Sequence, residues 1–194
     1  MDRLRTHGVH LTSGRLRLRP LTEADWDTLF VWNNDPEVLY YAEGGDITSW
    51  SMEAMKQMYR DTSRKALIFV IELDGHPIGE CWLQKMNLDR VLRQYPGLDV
   101  RRIDIMIGEK ALWGQGWGTR AIRSLVRLAF EHQGVDLLYL PEIADTNVRS
   151  RRAFEKNGFV VVQEVAQKAG KKFAVGYDLA LTRDAYNRCS VQSK

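Results

Sequence analysis

The sequence WGQGWG, from Trp113 to Gly118, lies directly before a long stretch with helical apolar spacing and places glycine at three alternate positions. Glycines carry no side chain that would keep a ligand away from the backbone, so the amide N–H groups here can point into one concavity. The entrance of the following helix adds unpaired amides and the positive end of the helix dipole. The stretch therefore predicts a phosphate or pyrophosphate site, although a glycine turn that only lets a strand and a helix pack closely fits equally well.

Two common nucleotide-binding motifs do not explain this stretch. A dinucleotide-binding motif would place GxGxxG near the first strand of a parallel sheet, whereas these glycines lie past the middle of the chain, after a hairpin pattern. A P-loop requires GxxxxGK followed by Ser or Thr, which the sequence does not contain. We therefore expect the phosphate ligand to bind in another type of fold.

Length and composition favour one globular domain. The 194 residues are 44% hydrophobic, which is enough for the core of a single compact α/β domain. The first residues, MDRLRTHGVHLTSG, do not resemble a signal peptide, and no stretch approaches the roughly 20 apolar residues of a membrane span. We therefore expect a cytoplasmic protein with no membrane partner. Cys81 and Cys189 lie far apart without a metal-binding motif, so we expect no disulfide and no metal.

The charge pattern does not indicate a nucleic-acid partner. The 28 basic and 25 acidic residues give a formal net charge of +3, which is too small for that inference. Arg15, Arg17 and Arg19 alternate with Leu16 and Leu18, as one strand with a buried face and a solvated face requires. The same charge gives no long-range attraction for a polycation, so recognition of one would have to be local.

Apolar periodicity predicts one mixed sheet with helices packed against it. Residues 66–73 and 78–86 are typical of a hairpin joined by the turn DGHP, and residues 87–100 of a long irregular segment. The stretch YYAEGGD is interpreted as a loop. In order, the other predicted elements are a strand at 15–20, helices at 22–32 and 51–62, a strand at 101–109, a helix at 116–132 with Ile122, Leu125, Val126 and Ala129 inward, a strand at 136–144, a helix at 146–158, and strands at 159–165 and 171–182.

Two motifs at the expected separation resemble the GNAT acetyltransferases, which use acetyl-CoA. The family signature, Arg or Gln followed by x-x-G-x-G or A, lies between its fourth strand and third helix, and WGQGWG matches it except at Trp113. The family also has an Asn at the end of its fifth strand and then a helix that finishes in a YEKxGF-like stretch. Asn147 and the stretch FEKNGF resemble these features, and the element order fits over residues 14–182.

The resemblance implies a single GNAT domain over residues 1–194 with its core at about 14–182. The fold would be α/β (α+β), with one mixed, mostly antiparallel sheet of about seven strands and about four flanking helices. The fourth and fifth strands of that sheet would splay apart.

The resemblance also implies a coenzyme site. In the family, amides of the glycine loop hold the pyrophosphate, and free backbone groups of strand four pair with the pantetheine arm. The matching residues are Gln115, Gly116, Trp117, Gly118 and Thr119 for the pyrophosphate, and Ile105 and Ile107 for the pantetheine arm. Asn147 would meet the pantetheine or adenine side, cap a helix, or do both. Arg120, Arg123 and Arg127 share a helix face that we interpret as solvated rather than as a 3'-phosphate site.

A GNAT-type reaction is direct attack by an amine on the thioester, and it needs a base because an ammonium has no lone pair. The candidate carboxylates are Asp104, on an otherwise apolar strand, and Glu142, at the end of strand five. The alternatives are a salt bridge from Asp104 to Arg101 or Arg102 and a surface position for Glu142. Phe154 occupies the place where many family members have a Tyr acid, so the sequence assigns no general acid.

Within the family, the chain is most similar to aminoglycoside 6'-N-acetyltransferases. The resemblance rests on PIGECWL, on RRIDIMIGEKALWGQGWGTRAI, on VWNNDPEVLYYAEGGD, and on Glu142 five residues before Asn147. It implies that Asp104 and Glu142 meet ammonium groups of the antibiotic, and that Tyr40, Tyr41 and Glu43 line another wall, where the tyrosines could equally be a packed loop. The acetylated amine, 6' or 2', and the antibiotic stay open.

Two other functions stay open. One is acetylation of a protein amino terminus, as in ribosomal-protein acetyltransferases, which share this style of glycine loop. The other is a non-catalytic module that binds coenzyme A, which the Phe at position 154 favours. A monomer and a homodimer are both compatible with the sequence.

Overall fold

The computed structural model describes residues 3–42, 47–167 and 173–191, with side chains described as far as residue 188. Within these ranges it contains eight strands and seven α-helices. The strands are β1 (Leu11–Ser13), β2 (Leu16–Pro20), β3 (Ala66–Leu73), β4 (His76–Lys85), β5 (Val100–Ile107), β6 (Leu137–Ala144), β7 (Val160–Ala166) and β8 (Val175–Thr182). The helices are α1 (Trp26–Trp32), α2 (Pro36–Ala42), α3 (Met52–Thr62), α4 (Asp89–Gln94), α5 (Trp117–Arg127), α6 (Val148–Glu155) and α7 (Arg183–Val191).

The strands form one mixed sheet in the order β1-β2-β3-β4-β5-β6-β8-β7. The pairs β1–β2, β2–β3, β3–β4, β6–β8 and β7–β8 are antiparallel. The pair β5–β6 is parallel, and its register joins Val100 to Leu137 and Arg101 to Leu138, the first two residues of each strand. The mixed, mostly antiparallel α/β fold is confirmed. These are the two strands that were expected to splay, and their divergence stays a prediction.

The chain divides into two compact units. The first comprises Met1–Gln84 and Asp104–Ala121, and the second comprises Lys85–Ile103 and Ile122–Lys194. Both β5 and α5 continue from one unit into the other along the chain. The description of the whole chain as a single domain stays a prediction.

In the first unit, β2 shows the predicted alternation. Leu16 and Leu18 are buried, while the arginines between them face polar groups. Arg19 differs from a solvated residue because it forms ion pairs with Asp25 at 2.6 Å and Glu72 at 2.7 Å. The core of this unit packs α1 and α3 against β3, and its members include Leu21, Trp26, Leu29, Trp32, Met55, Tyr59, Ile68 and Val70.

In the second unit, the inward stripe of α5 is confirmed. Its predicted members, Ile122, Leu125, Val126 and Ala129, are all buried. The stripe continues past the end of α5 because Leu128–His132 forms a π-helical turn. A further cluster of this unit consists of Met86, Val91, Val100, Leu137, Tyr139 and Ala180.

Several elements differ from the sequence prediction. The segment 87–100 contains α4, whose single fully buried residue, Val91, gives too little periodicity to mark a helix. Tyr40 and Tyr41 lie in α2 and not in a loop. The segment 33–36 ends α1 and also begins α2. It begins α2 because Asp35 Oδ1 accepts hydrogen bonds from the backbone N–H groups of Glu37 at 3.0 Å and Val38 at 3.2 Å. The short β1 raises the strand count above about seven, and α2, α4 and α7 raise the helix count above about four.

None of the helices in the described ranges combines the length and apolar character that a membrane crossing needs.

Candidate active site

The glycine loop requires glycine for its backbone conformation. Gly114 and Gly116 have φ values of +75° and +84°, in the left-handed region that other residues rarely adopt. A Cβ on either glycine would meet no described residue within 4 Å, so the described part of the chain leaves the space beside both open. Gly118 lies in the first turn of α5, where an added Cβ would be 3.8 Å from Ile105 Cδ1 and Ile107 Cγ1. The loop thus combines open, left-handed glycine backbone with a helix entrance beside β5, within one unit of the chain.

Trp113, where the family usually has Arg or Gln, anchors the loop to β5. Its indole N–H donates to the carbonyl oxygen of Ile107 at 2.7 Å. Tyr41 packs edge-on against the Trp113 ring, with centroids 5.8 Å apart, and Tyr40 packs edge-on against Tyr41 at 5.0 Å. Tyr41 is therefore part of the support of the loop. Glu43, which was expected to accompany these tyrosines, lies outside the described residues.

Two arginine side chains lie near the ring of Trp117 at the entrance of α5. The guanidinium carbons of Arg15 and Arg120 lie 5.9 Å and 5.1 Å from the centroid of its ring. Its indole N–H is buried and has no hydrogen-bond partner among the described residues. A diphosphate bound here would meet positive charge, loop amides and an unpaired donor, so these residues fit the coenzyme that the family implies.

The arginine face of α5 was expected to be exposed to solvent, and the structure agrees in part. Arg120, Arg123 and Arg127 are all exposed, and Arg127 pairs with Glu131 at 3.3 Å, one turn along the helix. The position of Arg120 beside Trp117 gives it a contact that the sequence did not predict.

Asp104 lies on β5, on the face opposite to Ile105 and Ile107 because side chains alternate along a strand. Met106 shares the Asp104 face and packs against the core cluster that contains Tyr59. Asp104 itself is partly exposed. Arg101, one of the two partners considered for it, forms a two-bond pair with Asp99 at 2.8 Å and 3.0 Å.

Glu80 on β4 is a buried carboxylate that the sequence analysis missed. It is 5% exposed and accepts hydrogen bonds from the Tyr59 hydroxyl at 2.6 Å and the Trp82 indole at 3.0 Å. Asn33 donates in turn to the Tyr59 oxygen at 2.9 Å. The signal was present, because Glu80 stands inside the apolar strand pattern of PIGECWL.

In the second unit, Glu142 is held rather than free at the surface. Its side chain is 37% exposed, and its φ of +54° is left-handed. Arg90 approaches one carboxylate oxygen, Oε1, at 3.2 Å, and the amide of Gln167 donates to the other, Oε2, at 3.0 Å. Glu142 therefore occupies a partly exposed position in which both carboxylate oxygens accept hydrogen bonds, and its contact with a substrate ammonium stays a prediction.

Asp178 on β8 completes this arrangement. It is fully buried and accepts from Arg90 at 2.6 Å and 3.2 Å, from the Tyr139 hydroxyl at 2.6 Å, and from the backbone N–H of Glu142 at 2.8 Å. Burial and the hydrogen bond to Asp178 raise the pKa of Tyr139 above its ordinary value. The same carboxylate raises the pKa of Arg90. Sequence analysis missed both Asp178 and Arg90.

Asn147 caps α6, as one of its two interpretations predicted. Its side-chain oxygen accepts from the backbone N–H of Ser150 at 3.2 Å. Its contact with the coenzyme stays a prediction. Phe154, in the same helix, is buried and packs edge-on against Phe159 at 5.3 Å, so it is a core residue with no proton to donate.

Side chains that bind metals do not gather in the part of the chain that the structure describes. No group of three or more His, Cys, Asp or Glu residues there could hold a metal ion. The free thiol of Cys81 is buried on β4, and burial raises its pKa.

The chain has curated relatives that modify aminoglycosides. It is 25% identical over 146 residues to aminoglycoside N(6')-acetyltransferase type 1 of Klebsiella pneumoniae, covering 73% of this chain and 72% of that protein. The protein of the same name from Serratia marcescens matches to the same extent.

Solved structures share the fold. The complex of aminoglycoside acetyltransferase AAC(6')-Ib with coenzyme A has a TM-score of 0.74 at 23% identity, over 90% of this chain and 99% of that one. Spermidine N-acetyltransferase from Vibrio cholerae, with CoA and spermine, has the same score at 19% identity, over 90% and 99%.

A family model described as the acetyltransferase (GNAT) domain matches residues 15–160, which is more than half of the chain. This span contains the glycine loop, Asp104, Glu142 and Asn147. The chain belongs to the GNAT family of acetyltransferases.

Proposed function

We propose that this acetyltransferase transfers the acetyl group of acetyl-CoA to an amino group of an aminoglycoside, 6' or 2', and so confers antibiotic resistance. Binding of the donor, acetyl-CoA, is supported by the glycine loop, where left-handed Gly114 and Gly116 leave the backbone open beside the unpaired N–H of Trp117. An aminoglycoside as the acetyl acceptor is supported by the similarity to aminoglycoside N(6')-acetyltransferase type 1.

The donor is held mainly by backbone groups. The amides of Gln115, Gly116, Trp117, Gly118 and Thr119 grip the diphosphate at the entrance of α5. Ile105 and Ile107 offer backbone groups to the pantetheine arm, although one acceptor site on the Ile107 carbonyl is already used by Trp113. Asn147 adds a contact on the pantetheine or adenine side while it caps α6.

Acetyl transfer requires one proton acceptor on the protein. Asp104, directly or through water, removes a proton from the substrate ammonium, and the amine nitrogen then attacks the thioester carbon. A backbone N–H of β5 stabilises the tetrahedral oxyanion. The attacking nitrogen, now positively charged, loses its second proton to solvent, and the intermediate collapses to the amide as the carbon–sulfur bond breaks. The leaving thiolate takes a proton from solvent, since Phe154 cannot supply one and a thiolate of pKa about 8.5 is stable enough to leave near neutral pH.

The other acidic residue, Glu142, binds a second ammonium group of the substrate. Its carboxylate is partly exposed and its orientation is set by Arg90 and Gln167. Tyr40, which is also exposed, offers an aromatic face to a sugar ring, whereas the main contact of Tyr41 is with the loop residue Trp113.

Turnover on a defined set of amines tests this proposal. Thiol release from acetyl-CoA is measured with ribostamycin, kanamycin, spermidine and a peptide with a free amino terminus, and the products are located by mass-spectrometric fragmentation. We expect an acetyl group on a 6' or 2' amine of an aminoglycoside. We also expect a higher inhibitory concentration of that aminoglycoside for a susceptible bacterium that expresses the protein. Turnover only on the peptide would favour amino-terminal acetylation, and coenzyme binding without any turnover would favour a binding module.

A further inference from the structure

The strand that carries Glu142 is bulged at that residue. In the pairing of β6 with β8, Leu140 stands opposite Leu179 and Ile143 stands opposite Tyr177. Two residues of β6, Pro141 and Glu142, therefore face the single residue Asp178 of β8. Such a bulge bends the strand and redirects the side chains that it carries.

The side chain of Asp178 holds the bulge in place. Its Oδ1 atom accepts the backbone N–H of Glu142 at 2.8 Å, a donor that the interrupted ladder leaves without its regular partner. Glu142 adopts a left-handed φ of +54°, which persists only where the surroundings impose it. Gly176 leaves room for this backbone, because a Cβ there would lie 3.1 Å from the Cα of Glu142.

The same carboxylate also holds Arg90. The guanidinium donates to both oxygens of Asp178, at 2.6 Å and 3.2 Å, and reaches Oε1 of Glu142 with one nitrogen at 3.2 Å. One positive charge thus faces two negative charges, which leaves a net charge of −1 on the three side chains. Asp178 is fully buried whereas Glu142 is 37% exposed, so a ligand can meet the surplus charge only at Glu142.

We infer that Asp178 is a positioning residue that keeps Arg90 from neutralising Glu142, so that Glu142 can bind an ammonium group of the substrate. This inference rests on the proposed function. When the ammonium arrives, the single link between Arg90 and Glu142 breaks, while the two bonds to Asp178 persist. Without the charge of Asp178, Arg90 would pair fully with Glu142 and compete with the substrate.

The test compares Asp178→Asn, Arg90→Gln and the double variant in steady-state kinetics with ribostamycin. Asp178→Asn should raise the KM for ribostamycin about five- to tenfold, the size expected for a partly exposed charge pair, and leave the affinity for coenzyme A unchanged. The double variant removes both charges and should bring KM back to within about twofold of the wild-type value. Asp184→Asn removes an exposed carboxylate of the same unit and should change neither constant.

Two results separate positioning from a merely structural role. A crystal structure of Asp178→Asn should show Arg90 in a two-bond pair with Glu142, and an Arg90 side chain still directed at residue 178 would contradict the inference. If Asp178→Asn unfolds, the double variant still decides, because it also removes the arginine that has lost its Asp178 partner: a KM raised as far as in Glu142→Gln would overturn the inference. An active wild-type protein whose KM is unmoved in Asp178→Asn would overturn the inference alone, whereas wild-type protein inactive on every amine of the set would overturn the proposed function as well.

Discussion

Trp113 differs from the Arg or Gln of the family signature, and the contacts of its indole ring explain the difference. An Arg or Gln at this position would be a polar residue, whereas the indole ring packs edge-on with Tyr41 and still donates one hydrogen bond, to the Ile107 carbonyl. The loop is therefore tied to the end of β5 by an aromatic residue. This contact links the residues proposed for the diphosphate to those proposed for the pantetheine arm.

Asp104 is the residue on which the proposed chemistry depends most. Replacing it with Asn keeps the size and polarity of the side chain but removes the base, so kcat should fall by roughly 100- to 10,000-fold. The dissociation constant for acetyl-CoA should stay within about twofold, because the loop that binds it is untouched. Steady-state kinetics and calorimetry measure the two quantities.

The control for Asp104→Asn is Asp27→Asn, which removes an exposed carboxylate of α1 in the same unit. It should leave kcat unchanged. Near-normal turnover of Asp104→Asn would show that another group accepts the proton, and Glu80 would then be the next carboxylate of this unit to replace.

Among the elements, the β6–β8 pair depends on a glycine. In Gly176→Ala the new Cβ would lie 3.1 Å from both the Cα and the Cβ of Glu142, so the bulge must shift. We expect the free energy of unfolding to fall by about 1–3 kcal/mol and the KM for the amine to rise. Urea unfolding measures the first quantity and kinetics the second.

Gly8→Ala is the matched control for that variant, since none of the residues that the structure describes lies within 4 Å of its added Cβ and its φ is not left-handed. It should change stability by less than about 0.5 kcal/mol. Equal stability of the two variants would show that the bulge accommodates an extra methyl group. Gly176 would then not be required for the backbone conformation of Glu142.

The elements also show what a sequence can predict. The β3–β4 hairpin, the buried stripe of α5 and the open backbone at the loop glycines follow from local periodicity and from glycine spacing, and they are present. The environment of Glu142 was not predictable, because Arg90 on α4 and Asp178 on β8 are 88 residues apart, and Glu142 meets Asp178 only through the register of β6 on β8. The contact of Trp113 with Ile107 was missed despite a separation of 6 residues, since a pattern of residue types does not show where an indole N–H points.

At the scale of the whole molecule, His7 couples stability to pH. The ring packs against Phe69, one ring nitrogen bonds the Ile68 carbonyl at 2.9 Å, and the other accepts the backbone N–H of Val9 at 3.3 Å. Burial lowers the pKa of His7 below its ordinary 6.5. The unfolded chain therefore binds this proton more readily than the folded protein does, so the contribution of neutral His7 to stability is fully present above pH 6.5 and is lost as the pH falls below it.

The variant His7→Gln carries no titrating group at this position. It should flatten the dependence of the unfolding free energy on pH just below 6.5, the ordinary pKa of the replaced ring. Denaturant unfolding at several pH values measures this slope. His76→Gln, at an exposed histidine, is the control for the chemical change from histidine to glutamine. An unchanged slope in His7→Gln would assign the pH dependence to other groups.

The central claim is that the loop from Trp113 to Thr119 holds the diphosphate of the coenzyme. Calorimetric titration of coenzyme A into Gly116→Val tests it, because valine cannot readily adopt the φ of +84° that aims the loop amides. Gly97→Val imposes the same strain at a φ of +80°, also in open surroundings, outside the loop. We expect the dissociation constant for coenzyme A to rise at least tenfold, about 1.4 kcal/mol, in Gly116→Val and to stay unchanged in Gly97→Val. Wild-type affinity in a folded Gly116→Val protein would contradict the claim.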